Sequence, residues 1–122
     1  GWYVENPEIC KNLEWRTVYD KPLVMSEFGA GSRYGLHGDK LDRWTEEFQE
    51  YFFEENIKML KKIPFLRGTT PWILMDFRSA RRPLGDIQDY YNRKGLISDQ
   101  GQKKKAFYTM RKYYEEIKTN FK

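Results

Sequence analysis

The chain has 122 residues, 39% hydrophobic and 33% charged, with a formal net charge of +4. That length suits one modest domain, and the charge is too small to imply a nucleic-acid partner without a patterned basic patch. A single cysteine, Cys10, rules out an internal disulfide and a multi-cysteine metal site, and a single histidine, His37, argues against a His-rich metal centre. No apolar run approaches the roughly 20 residues that cross a bilayer, so no membrane partner is expected. No targeting segment is visible, and localisation stays open between periplasm, secretion and cytoplasm. The aromatic content of 17% is high and suits a large core, an interface or a site that stacks on flat ligands.

In chain order, residues 1–20 begin with Trp2 and Tyr3 and continue with Ile9, Leu13, Trp15 and Val18 at loosely helical spacing, which predicts a short helix. Pro22 opens a strand over 22–27, where it costs no central ladder bond. A glycine-rich loop follows over 28–41. Residues 42–62 predict the clearest helix, with Trp44, Phe48, Tyr51, Phe52 and Met59 near one face, glutamates early, lysines late, and Pro64 as its stop. A second buried strand is expected over 65–75, interrupted by Gly68 and Pro71, and a long polar loop over 77–95. A short extended piece at 95–98 leads to a last helix over 103–118, with Ala106, Phe107, Met110, Tyr113, Tyr114 and Ile117 as its apolar face.

The order strand–helix–strand–helix, with both strands apolar along their length, predicts parallel strands covered by helices. Two such strands cannot close a fold, so the sheet is expected to continue in other chain, leaving an aromatic-rich face and strand edges to be covered. In α/β barrels the working residues sit at the C-terminal strand ends and in the loops after them. Glu27 ends the first strand, Trp72 and Asp76 lie at or beyond the end of the second, and loops 28–41 and 77–95 would share one face. Taken alone, Glu27 is equally a solvated or salt-bridged strand end. The run Lys103, Lys104, Lys105 opens a helix with no aromatic platform beside it and reads as a solvated face, with no nucleic-acid partner expected.

Six stretches then line up. "KPLVMSEFGAG" at 21–31 resembles the nucleophile motif of glycoside hydrolase family 2, which includes β-glucuronidases and β-galactosidases. "GWYV" at 1–4, "GLH" at 35–37, "WTEEFQ" at 44–49, "PWILMDF" at 71–77 and "NRKGLISDQGQKKKAF" at 92–107 resemble further family segments in the same order. The resemblance implies that 1–122 is the C-terminal segment of a (β/α)₈ catalytic barrel, an α/β fold of which strands seven and eight with their helices are present. It implies retaining hydrolysis of terminal β-glycosides, β-glucuronidase-like first and β-galactosidase-like second, with a carbohydrate substrate and no cofactor. Glu27 would be the nucleophile, Tyr3 a hydroxyl donor to it, and Trp72 the floor of the sugar site, followed by a non-proline cis peptide. Asp76 would touch sugar hydroxyls or an arginine, and His37 would lie near the site. Asn92 and Lys94 would hold a sugar carboxylate, for which an amide and an ammonium are suited donors. The resemblance puts the acid/base glutamate in an Asn-Glu motif at the end of strand four, before the position that matches residue 1, and Glu46, Glu47, Glu54 and Glu55, on a helix, would not stand in for it; the segment alone would be inactive and would need the rest of the barrel as its partner. A homo-oligomeric parent stays open. The alternative of another class is a non-catalytic carbohydrate-binding or assembly fragment using the aromatic surface.

Overall fold

The structure, a computed structural model, describes residues 6–120. The chain opens with a 3₁₀ helix, Pro7–Asn12, capped by Asn6, whose side chain accepts the Glu8 amide at 3.0 Å. The three-residue turn of a 3₁₀ helix stacks i on i+3. Pro7 and Cys10 are therefore the buried pair, and the expected face of Ile9 and Val18 points outward, Val18 being 93% exposed. No regular element follows until strand β1, Leu23–Met25.

Strand β1 pairs in parallel with β2, Leu66–Thr69, as Leu23 with Leu66, Val24 with Gly68 and Met25 with Thr69. Both strands are shorter than expected, but pairing runs on beyond them. The Thr70 amide donates to the Met25 carbonyl at 2.9 Å and the Trp72 amide to the Phe28 carbonyl at 2.8 Å. The Trp72-Ile73 peptide is cis. Residues 73–76 then bond to 94–97, through Ile73 to Lys94 at 3.0 Å, Leu96 to Ile73 at 2.9 Å and Asp76 to Ile97 at 2.9 Å. The expected polar loop 77–95 contains a small antiparallel pair, β3 (Phe77–Arg78) with β4 (Tyr91–Asn92).

Helix α1 is Glu46–Lys61. Thr45 caps it by accepting the Phe48 amide at 3.0 Å, and Glu46 and Glu47 in the first turn oppose Lys58 and Lys61 in the last, the order that the helix dipole favours. The helix starts four residues later than expected. Trp44 lies before the cap with φ 73°, in the left-handed region, so it does not belong to the helical face. Helix α2, Lys105–Asn120, buries Ala106, Met110 and Tyr113 at i, i+4 and i+7, while Tyr114 turns outward.

The core lies between the strands, the two helices and the 3₁₀ turn. Phe28 packs on Phe53 at 5.6 Å and Phe53 meets Phe52 edge-on at 5.5 Å, all three essentially without exposure. Each such ring contributes about 1.5–3 kcal/mol by burial. The helices cover one side of the strands only. Away from that cover Val24 is 55% and Leu74 61% exposed, and Met75 and Phe77 are exposed as well. We expect Phe53→Ala to cost about 3–5 kcal/mol, the usual range for a deleted core ring, read as a lowered midpoint in thermal unfolding.

Candidate active site

The strand ends place Glu27 in a defined setting. It is exposed, two residues past β1, between the exposed Ser26 and the buried Phe28. Phe28 anchors the backbone on both sides of its peptide: its ring enters the core and its carbonyl accepts the Trp72 amide. The chain then passes close to Trp44, and a Cβ on Gly31 would come within 2.7 Å of the indole, which excludes any larger residue there without movement. Gln49 of α1, fully buried, donates to the Ala30 carbonyl at 2.9 Å and the Gly95 carbonyl at 3.0 Å and accepts the Ser32 hydroxyl at 2.7 Å. One amide side chain thus ties the loop after β1 to the turn after β4.

A second tie is ionic and corrects one expectation, that of a solvated Lys104; of the two alternatives for Asp76 it shows the arginine contact. The Asp76 carboxylate is inaccessible. Oδ1 accepts the Lys104 ammonium at 2.9 Å and the Gly95 amide at 2.8 Å, and Oδ2 faces Arg93 at 3.5 Å. Lys104, expected on a solvated face, has no exposed surface. Its Nζ satisfies three acceptors, the Ser32 carbonyl at 2.6 Å, Asp76 and the Arg93 carbonyl at 3.1 Å. Arg93 is held in turn by Asp99 at 2.7 Å. Burial pushes the Asp76 carboxyl up and the Lys104 ammonium down, and each group's charge works against the other's shift. A Cβ on Gly95 would sit 2.2 Å from the Asp76 amide nitrogen, so the turn closes on the acid only because this residue has no side chain. Nothing in a run of three lysines distinguishes the middle one; only the fold does.

Of the other expected site residues, Trp72 is partly exposed and meets Phe77 edge-on at 6.0 Å, one hydrogen bond away from the peptide that follows Glu27. Asn92 is buried and its Oδ1 accepts the Lys94 amide at 3.0 Å, leaving the NH₂ as its remaining polar group. Lys94 feels the Glu27 charge. Burial pulls its ammonium below the ordinary lysine range, the Arg82 charge adds to this, Glu27 opposes it, and Arg43 adds again. A cavity of about 220 Å³ is lined by residues 29–31, Arg43, Trp44, Arg82, Asn92, Arg93 and Lys94. His37 does not line it. Its Nδ1 lies 2.8 Å from Glu47 and its Nε2 3.6 Å from Glu46, because loop 28–41 folds back on the first turn of α1. Glu46 completes that staple, accepting the amides of Gly35 at 2.8 Å and Lys105 at 2.9 Å. Tyr3 lies outside the described residues.

Removing one partner of a buried pair leaves the other charge stranded. Lys104→Met is therefore expected to cost about 3–5 kcal/mol in urea denaturation, whereas its neighbour Lys103→Met, on an exposed side chain, is expected to change stability by less than about 0.5 kcal/mol.

No protein-family model matches the chain. Curated relatives do. A β-glucuronidase of Streptococcus agalactiae serotype V is 32% identical over 126 residues, covering 96% of this chain and 20% of that protein. A β-glucuronidase of Bacteroides fragilis is 34% identical over 119 residues, covering 88% and 17%. Among solved structures, a GH2 β-galacturonidase from Eisenbergiella tayi bound to galacturonate superposes with a TM-score of 0.70 at 25% identity, over 79% of this chain and 17% of that one. A Faecalibacterium prausnitzii β-glucuronidase superposes with a TM-score of 0.70 at 30% identity, over 80% and 16%. The chain spans about a fifth of the length of the curated relatives it matches. On these similarities the chain belongs to glycoside hydrolase family 2, matching one segment of such proteins.

Proposed function

We propose that these residues form strands seven and eight of a retaining β-glycosidase barrel, acting on β-glucuronides, with Glu27 as the nucleophile. The observation that carries this reading is the meeting of Glu27, Trp72 and Lys94 at one end of the parallel pair, from three separate stretches of chain. In this mechanism a Glu27 oxygen attacks the anomeric carbon while the bond to the leaving oxygen breaks. The leaving group takes a proton from an acid residue outside this segment. Water then cleaves the glycosyl ester with that same residue as base, so configuration is retained. The two carboxyls need to lie about 5–5.5 Å apart.

Trp72 would floor the site, its indole against the C–H face of the sugar. Tyr3 would donate to Glu27. Asn92 and Lys94 would receive the sugar carboxylate, the amide NH₂ and the ammonium facing one anion. The exposed side chains of Val24, Leu74 and Met75 fit burial against the remaining barrel, which would also supply the acid, so the segment alone would be inactive. Family 2 relatives include a β-galacturonidase, and a carboxylate clamp serves uronides of either configuration at C4.

In the full-length protein, Glu27→Gln should lower kcat/KM on an aryl β-glucuronide at least about a thousandfold, the scale on which nucleophiles act. An active glutamine variant would remove Glu27 from the mechanism. Lys94→Ala should cut the same quantity roughly 10- to 100-fold, as expected for a lost charge-assisted hydrogen bond. Turnover of an aryl β-galactoside, measured in parallel, should change less than about threefold; equal losses on both substrates count against the clamp.

A further inference from the structure

The β3–β4 ribbon sorts its side chains onto two faces. Residues directly opposite in an antiparallel pair share a face, and successive residues alternate. Arg78 stands opposite Tyr91, and its guanidinium lies over that ring at 5.3 Å. Arg93, two residues on, stacks on the same ring at 4.6 Å and meets Asp76 at 3.5 Å. Asp76, Arg78, Tyr91 and Arg93 are thus joined in one stacked and ionic face. The remaining pair, Phe77 opposite Asn92, belongs to the other face. Asn92 is buried and lines the cavity beside Lys94, whereas Phe77 is 38% exposed. The Phe77 ring meets the Trp72 indole edge-on, with centroids 6.0 Å apart and planes at 89°. Phe77 follows Asp76, which Lys104 holds by the carboxylate and Ile97 by the amide, so the ring starts from a fixed backbone.

We infer that Phe77 is a positioning residue for the sugar site, setting the tilt of the Trp72 indole relative to Asn92. The inference rests on the reading of Trp72 as floor and Asn92 as part of the clamp, and deepens it. Rings at right angles set the positive edge of one against the negative face of the other, which gives the pair a preferred angle. An indole without that partner keeps its place in the chain and loses its preferred tilt. The tilt matters because two contacts must be met together: the sugar's C–H face lies on the indole while its carboxylate reaches Asn92. An aliphatic side chain of similar bulk fills the same space with no quadrupole. Replacing Phe77 by leucine therefore separates direction from volume.

The test uses the full-length protein with Phe77→Leu, Phe77→Tyr, Trp72→Leu, Asn92→Ala and the double variant Phe77→Leu with Asn92→Ala. Kinetics on aryl β-glucuronide and β-galactoside are measured beside thermal midpoints. Phe77→Leu is expected to lose about threefold to tenfold in kcat/KM on both substrates, with the midpoint within about 2 °C. Phe77→Tyr, which keeps the ring, should recover most of that loss. On the glucuronide the Phe77→Leu and Asn92→Ala losses should combine to less than their product, because a tilted floor already misplaces the carboxylate. On the galactoside, which has no carboxylate, Asn92→Ala should leave the Phe77→Leu loss unchanged. Unchanged kinetics in Phe77→Leu overturn the inference, with or without a lowered midpoint. So do equal losses in Phe77→Tyr and Phe77→Leu, or independent losses on the glucuronide. If Trp72→Leu is damaging and Phe77→Leu is silent, the floor stands and the inference alone falls. If Trp72→Leu changes neither substrate, the floor and the inference fall together.

Discussion

The ammonium of Lys104 is the point at which the separate parts of the site acquire a common position. It reaches the Ser32 carbonyl, Asp76 and the Arg93 carbonyl from a residue that stands immediately before α2. Those three acceptors belong to the loop after Glu27, the stretch after Trp72 and the turn that carries Asn92 and Lys94. Gln49 makes the parallel connection from α1, gripping Ala30 and Gly95. Helix α1 and the residue that leads into α2 thus each send one buried polar side chain into the same two loops, which is how irregular backbone can be held with the precision of the scaffold beneath it. An apolar residue at either position would leave buried carbonyls without donors, at about 1–3 kcal/mol each. The pair with Asp76 adds little net stability by itself; its work is to fix which loop lies against which.

What the sequence made legible follows from period and punctuation. The glutamates, aromatic spacing and closing Pro64 located α1, and the two apolar runs located a parallel pair with Glu27 at its end. The misreadings have physical causes. A helical period was read into residues 1–20, where a 3₁₀ turn with its three-residue repeat buries Pro7 and Cys10 instead. Trp44 fits the α1 face by spacing, but its left-handed φ puts it in the approach to the cap, where it packs over Gly31. Lys104 depends on partners in other segments, Asp76 among them 28 residues away, and a lysine run looks solvated until tertiary packing decides.

The one-sided cover of the strands has a direct bearing on chemistry. Helices shield the face that holds Met25 and Phe28, while Val24, Leu74 and Met75 remain open. In a closed barrel that open side would become the interior, and the strand ends would become the rim on which Glu27 sits. Phe28 then acts as a hinge pin: its ring belongs to the core, and the residue before it is exposed past the strand end. A carboxylate one residue later would be driven into apolar packing, a costly burial of charge.

The same logic separates holding a sugar from choosing one. In the function proposed, Trp72 and Glu27 would address features that every β-glycoside shares, an apolar ring face and an anomeric carbon. Discrimination has to come from groups that sense what differs between glycosides, and among uronides and neutral sugars the largest difference is one full charge. Charge is also the feature that a flexible loop can read with the least geometric precision, because Coulomb attraction falls off slowly compared with packing. In the function proposed, Lys94 would read that charge from the turn after β4, while Glu27 is held between a strand and a core phenylalanine. Placement to within a fraction of an ångström is needed at the bond that breaks; at a carboxylate, charge can do much of the selecting.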